Sequence, residues 1–128
     1  GKAKKDPVKK NVVTYNIMIS LYLDKNKLRE GLNSMEEMIA NGIEPDHVTF
    51  TRMFSYLNDE KRGWQALELY RNHRERVMQL ANMACYLPLL RSVLFSRNDT
   101  RESIKELLDD LNSAGLIPTA AMYRQLVD

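Results

Sequence analysis

Residues 15–22 read YNIMISLY, and the spacing of their apolar side chains decides the fold. Tyr15, Met18, Ile19 and Tyr22 fall at i, i+3, i+4 and i+7, the pattern of one helical face rather than the alternation of a strand. The quartet returns 35 residues later in FTRMFSYL as Phe50, Met53, Phe54 and Leu57. It returns after 36 more in YLPLLRSV as Tyr86, Leu89, Leu90 and Val93, and a partial copy, Tyr123, Leu126 and Val127, follows 37 residues on. The chain carries an internal repeat of helical character.

Each quartet is followed by a second amphipathic segment: Leu28, Leu32, Met35 and Met38; then Ala66, Leu67 and Tyr70; then Ile104, Leu107, Leu108 and Leu111. The polar breaks between paired segments, Asp24 to Lys27, Asn58 to Gly63 and Ser96 to Thr100, are short enough to turn one helix back antiparallel on the other. Asp99 with Glu102 resembles a capping box at the last of these starts. NGIEPD (Asn41 to Asp46) and AGLIPT (Ala114 to Thr119) put Gly42 and Gly115 where a helix end favours a left-handed residue, with Pro45 and Pro118 beyond. The middle unit has neither Gly nor Pro at its exit, so its second helix is expected to run longer or end irregularly. A helix-turn-helix repeat of 35 to 37 residues reads as an all-α fold, an α-solenoid of antiparallel hairpins in which neighbours bury each other's apolar faces. The expected plan is a basic tail or linker over 1–11, repeats over 12–46, 47–82 and 83–119, and the start of a fourth over 120–128. The fourth unit leaves a face that a longer array would cover.

Composition narrows the function classes. The 128 residues carry a net charge of +2, but residues 1–11 hold five lysines against one aspartate, leaving 14 basic and 16 acidic side chains in the rest. Overall charge therefore cannot carry a nucleic-acid argument. No apolar run approaches the roughly 20 residues of a membrane helix, and no targeting peptide is visible in the chain. Cys85 stands alone, and His47 and His73 lie far apart without patterned carboxylates, so neither a disulfide nor a metal site is expected. The acidic pairs Glu36 with Glu37 and Asp109 with Asp110 read as solvated charge. Serines and histidines lack the convergent spacing of a nucleophile and its base, and there is no Gly-rich phosphate loop. The expectation is a protein without catalytic residues or cofactor.

The segment VVTYNIMISLYLDKNKLREGLNSMEEMIANGIEPD, Val12 to Asp46, resembles a pentatricopeptide repeat nearly end to end. His47 to Asn72 resembles the front of a second, and Met83 to Thr119 keeps the Tyr, the SAGLIP ending and the helical spacing of a degenerate third. The resemblance implies binding of single-stranded RNA, organellar rRNA or mRNA, at about one base per repeat. In such repeats the fifth and last residues read the base, and the second residue clamps it. Carried onto this chain, the first reading pair is Asn16 with Asp46, which looks like the family's uridine-preferring pair; an Asn carboxamide offers both a donor and an acceptor to a pyrimidine edge. Thr51 with Asn82 would follow, a pair that in the family favours adenine. Val13 and Val48 would clamp the first base, Ala84 is a poorer clamp, and Leu87 with Thr119 matches no reading pair. Asp46 also suits the cap of the following helix.

Helical projection puts Arg52, Arg91 and Arg124 on or near the face of Asn16 and Thr51, as phosphate contacts, while Asp24 and Asp59 stand where the family often has a basic residue. Arg71, Arg74 and Arg76 with His73 fall on a second helix, as a solvated face or a surface for structured RNA or a partner. Two function classes stay open. One is sequence-selective RNA binding in mitochondrial, alternatively chloroplast, RNA metabolism. The other is a solenoid that docks a peptide or helix, or an accessory repeat domain of a larger organellar RNA enzyme or ribosomal assembly.

Overall fold

Caps fix where the helices begin. Asn11, in extended backbone, accepts the Thr14 amide at 3.0 Å and opens α1 (Val12–Asp24); Asp46 does the same for α3 (His47–Asp59), accepting the Thr49 amide at 3.1 Å while the Thr49 hydroxyl accepts the Asp46 amide. Each such cap supplies a partner for an otherwise orphaned helix amide and contributes about 1 kcal/mol. The computed structural model describes residues 9–96 and 100–127; the described elements are all helical and fall into two compact units, divided between Pro45 and Asp46.

The first unit is a hairpin of α1 and α2 (Leu28–Ala40). Tyr15, early in α1, donates to Glu37 Oε2 at 2.8 Å and accepts from Asn41 Nδ2 at 2.9 Å, both at the far end of α2. Leu23, late in α1, lies against Gly31 near the start of α2. The two helices therefore run antiparallel. Tyr15, Ile19, Leu23, Met35 and Met38 are buried.

Four helix ends share one device, a left-handed residue that lets two amides turn back onto the last helical carbonyls. Gly42 (φ +76°) and Gly115 (φ +79°) fill this position as expected, with Ile43 N–H bonded to Met38 O at 2.8 Å and Leu116 N–H to Leu111 O at 2.9 Å. Asn26 (φ +58°) and Lys61 (φ +57°) fill it within the hairpin turns, where Lys27 N–H reaches Tyr22 O and Arg62 N–H reaches Leu57 O, each at 2.8 Å. The same turn is built from unlike residues.

In the second unit α3 is followed by α4 (Gly63–Asn72), α5 (Arg74–Leu80), α6 (Met83–Leu94), α7 (Arg101–Ser113) and α8 (Ala120–Val127). The α6 helix packs against α3, α4, α7 and α8. Phe50, Met53, Phe54 and Leu57 meet Tyr86, Leu89, Leu90 and Val93 in the core, all buried, each worth about 1.5–3 kcal/mol of transfer free energy. Where the exit signals were missing, the second helix of the middle unit does end irregularly: it breaks at His73, whose buried ring tilts against Phe50 at 5.7 Å, and α5 stops at Ala81 in left-handed backbone. Gly63 allows α4 to approach α6 closely, since a Cβ there would lie 2.4 Å from Ser92 O.

Two expectations are corrected. Asp110 is not solvated: it is 3 % exposed, accepts from Tyr70 at 2.6 Å and from Arg74 at 2.7 and 2.5 Å, and so ties α7 to α4 and α5. In α8 Met122 rather than Tyr123 is buried, because α8 turns that side to α6 and no following helix among the described residues covers Tyr123. Helix α7 begins at Arg101 with Thr100 at the cap position, and Asp99 of the expected capping box lies outside the described residues.

Candidate nucleic-acid interface

The candidate reading positions lie on the sides of the helices that the cores leave uncovered. On α1, Val13 is exposed and Asn16, three residues on and hence on the same side, is half-buried in the second turn, well inside the helix that Asn11 caps. On α3, Val48 is exposed while Thr51 and Arg52 are half-buried. The Thr51 hydroxyl donates to Cys85 Sγ on α6 at 3.5 Å. Asp46 caps α3, and Asn82 caps α6 by accepting the Ala84 amide at 2.9 Å. Asp46 and Asn82 thus both hold the start of a first helix in place.

The structure brings Arg91 and Arg124 together. Both line a cavity of about 640 Å³ in the second unit, walled by Asn58 of α3, Leu87 of α6 and Gln125 of α8. Leu87 and Arg124 stand at corresponding places in α6 and α8, the fifth residue of each helix. No carboxylate lines this cavity among the described residues, and its amides and guanidinium groups are mainly hydrogen-bond donors. A low-dielectric wall with cations of one sign raises the local concentration of anions. A chain that is acidic outside its tail has placed a basic groove here.

Two members of the other basic group, Arg71 and Arg74, are tied into ion pairs within the fold. Arg71 donates to both carboxylate oxygens of Glu106, at 3.3 and 2.8 Å, and Arg74 forks onto Asp110. The Arg74 guanidinium, with the Tyr70 hydroxyl, holds the Asp110 carboxyl below its usual range against the opposing effect of burial. Lys10, from the basic tail, pairs with Glu37 at 3.1 Å, and that carboxyl is likewise lowered, first by the Tyr15 hydroxyl and then by Lys10. Burial pushes the Cys85 thiol up, which keeps it protonated and unreactive at neutral pH. Among the described residues no group of three or more His, Cys, Asp or Glu is placed to hold a metal ion, and no helix is long and apolar enough to cross a membrane.

Asn58 and Gln125 were not singled out in the sequence. Asn58 reads there as part of a polar break, and only the packing of α3 and α8 on α6 turns it toward Arg91.

Comparison with known proteins agrees with this architecture. Residues 10–59 match the model of the PPR repeat family. A pentatricopeptide repeat-containing protein of Arabidopsis thaliana is 31% identical over 106 residues, 80% of this chain and 14% of that protein. The small ribosomal subunit protein mL103 of Arabidopsis thaliana is 24% identical over 115 residues, 90% of this chain and 27% of the relative. A mitochondrial pentatricopeptide repeat-containing protein of the same plant gives the same 24% over 115 residues. The chain spans between 14% and 27% of the length of these relatives. With the repeat matched where its spacing is most regular, and relatives of that name aligned along most of its residues, the chain belongs to the pentatricopeptide repeat family.

Proposed function

We propose that this chain binds single-stranded RNA with sequence selectivity, as part of a pentatricopeptide repeat array in mitochondrial RNA metabolism. Proteins of this family are in general organellar RNA binders without enzymatic activity. The observation that carries the reading is the cavity of the second unit, where Arg91 and Arg124 converge and no carboxylate lines the wall among the described residues. The reading assigns phosphate contact to Arg52, Arg91 and Arg124, base reading to Asn16 with Asp46 and to Thr51 with Asn82, and clamping to Val13 and Val48. Mitochondrial residence, with chloroplast as the alternative, is supported by the mitochondrial pentatricopeptide repeat-containing relative, and a ribosomal setting by the small ribosomal subunit relative.

One observation favours docking of a partner helix instead. Val13, Ile17 and Leu21 are 60 %, 55 % and 57 % exposed along one side of α1, and such an apolar stripe fits a helix as well as a base. Binding of randomised single-stranded RNA to the full chain at two salt concentrations, for the wild type and Asn16→Ala, separates the two. Loss of a uridine preference at one position supports modular reading. Absence of binding at both salts overturns it in favour of the protein-docking surface.

A further inference from the structure

The basic cavity continues along α6 into a second one of about 490 Å³, and Asn58 and Arg91 line both. What changes along the way is the chemistry of the wall: Arg124 gives way to Lys61, and an aromatic ring, Phe95, enters. Phe95 is the C-cap residue of α6, its N–H bonded to Arg91 O at 3.1 Å, and its side chain is 64 % exposed. Four residues apart, Arg91 and Phe95 stand on the same side of the helix end, so guanidinium and ring face the same space. Lys61 comes from the left-handed turn after α3. Leu126 and Val127 of α8 complete an apolar margin, and again no carboxylate lines the cavity among the described residues.

An exposed ring beside two cations is the composition of a single-strand stacking platform, in which cations track the phosphates and the ring takes any base by its face. Phe95 has neither donor nor acceptor on its side chain, so it cannot discriminate base edges. We infer that the cavity formed by Lys61, Arg91 and Phe95 holds one nucleotide of a bound single strand, its phosphate between the two cations and its base stacked on Phe95, without regard to base identity. This site rests on the RNA-binding reading proposed above and adds to it a contact outside the reading positions. It gives the third repeat, where Leu87 and Thr119 form no reading pair, a way to hold RNA that needs none.

The test uses the full chain with homopolymeric uridine and adenosine oligonucleotides, titrated across a range of salt. Phe95→Ala should weaken both by the same factor, roughly five- to hundredfold, the value of one lost base stack. Phe95→Tyr, which keeps a stacking face, should bind as the wild type does. Lys61→Gln should lower the salt slope by about 0.7, one phosphate on a single strand. Because Phe95 is largely exposed, its replacement leaves the core unchanged, and thermal unfolding of the variant checks this. Unaltered affinity of Phe95→Ala overturns the site, as does weakening for one homopolymer alone, which would make Phe95 a reader. Displacement of RNA by inorganic phosphate, unchanged in Phe95→Ala, overturns it in favour of a bare anion site. If Asn16→Ala shifts base preference while Phe95→Ala does nothing, modular RNA reading stands and this site falls; if the wild type binds neither homopolymer at any salt, RNA binding itself falls.

Discussion

At the scale of single residues, the second unit depends on a chain of polar contacts running through its core. Tyr70 spends its one hydroxyl proton on Asp110, so at 3.1 Å it accepts from Tyr86, and Arg74 supplies the remaining donors to the carboxylate. The exposed Arg71–Glu106 pair beside it contributes about 0–1 kcal/mol, because water screens it and two long side chains must be held. The buried members weigh more. Tyr70→Phe leaves Asp110 short of a donor and Tyr86 without its acceptor, and should cost about 1–3 kcal/mol in urea unfolding. Loss of only a few tenths would show that water replaces the hydroxyl. Asp110 has its pKa lowered on folding, so its contribution is fully present above the unfolded value of about 4 and is lost as the pH falls through the lower folded value. Unfolding measured between about pH 6 and pH 2 should therefore show a steeper acid loss in the wild type than in Asp110→Asn, which carries no titrating carboxyl there. Equal slopes would mean that the pair contributes nothing to folding.

At the scale of elements, helix contacts and helix ends make separate predictions. Gly63→Ala places a methyl carbon against the backbone of Ser92, which cannot swing aside as a side chain would, and should destabilise by about 1–3 kcal/mol. Ala81, at φ +47° and ψ +47°, holds the left-handed position at the end of α5 that Gly42 and Gly115 hold elsewhere. The Cβ penalty there is about 1–2 kcal/mol, partly offset by the greater unfolded entropy of glycine, so Ala81→Gly should stabilise by about 0.5–1 kcal/mol. An unchanged or lowered midpoint of thermal unfolding would refute the assignment of that strain. These cases also show what was legible in the sequence. The quartets of α1, α3 and α6 depend on local spacing alone, and the Gly42 and Gly115 exits on residue type alone, so both could be read directly. Asp110 could not, since its partners Tyr70 and Arg74 are 40 and 36 residues away and look like ordinary second-helix residues. Phe95 stands in the third repeat at the place of Asp24 and Asp59, where the family often has a basic residue; the role proposed for it depends on Lys61 lining the same cavity, which only folding reveals.

At the scale of the whole molecule, the question is how a chain whose residues beyond the tail hold 14 basic and 16 acidic side chains could bind a polyanion. Net charge offers no attraction at a distance, so any affinity must come from where cations stand rather than from how many there are. The two joined cavities of the second unit hold three, Lys61, Arg91 and Arg124, with no carboxylate on their walls among the described residues. Phosphate contacts from these three contribute about −2 to the slope of log affinity against log salt on a single strand, beside whatever Arg52 adds. Arg91 lines both cavities, so Arg91→Gln should reduce that slope by about 0.7 and weaken uridine- and adenosine-rich strands alike, and Arg124→Gln should do the same. Asn16→Ala, which removes no charge, should leave the slope unchanged and alter only the order in which sequences are preferred. The two effects are measured together by titrating each variant with a uridine-rich and an adenosine-rich strand at several salt concentrations. A slope untouched by Arg91→Gln and Arg124→Gln would mean that the groove does not meet the phosphates. A slope lowered by Asn16→Ala would mean that Asn16 acts through the backbone of the strand and not through its bases.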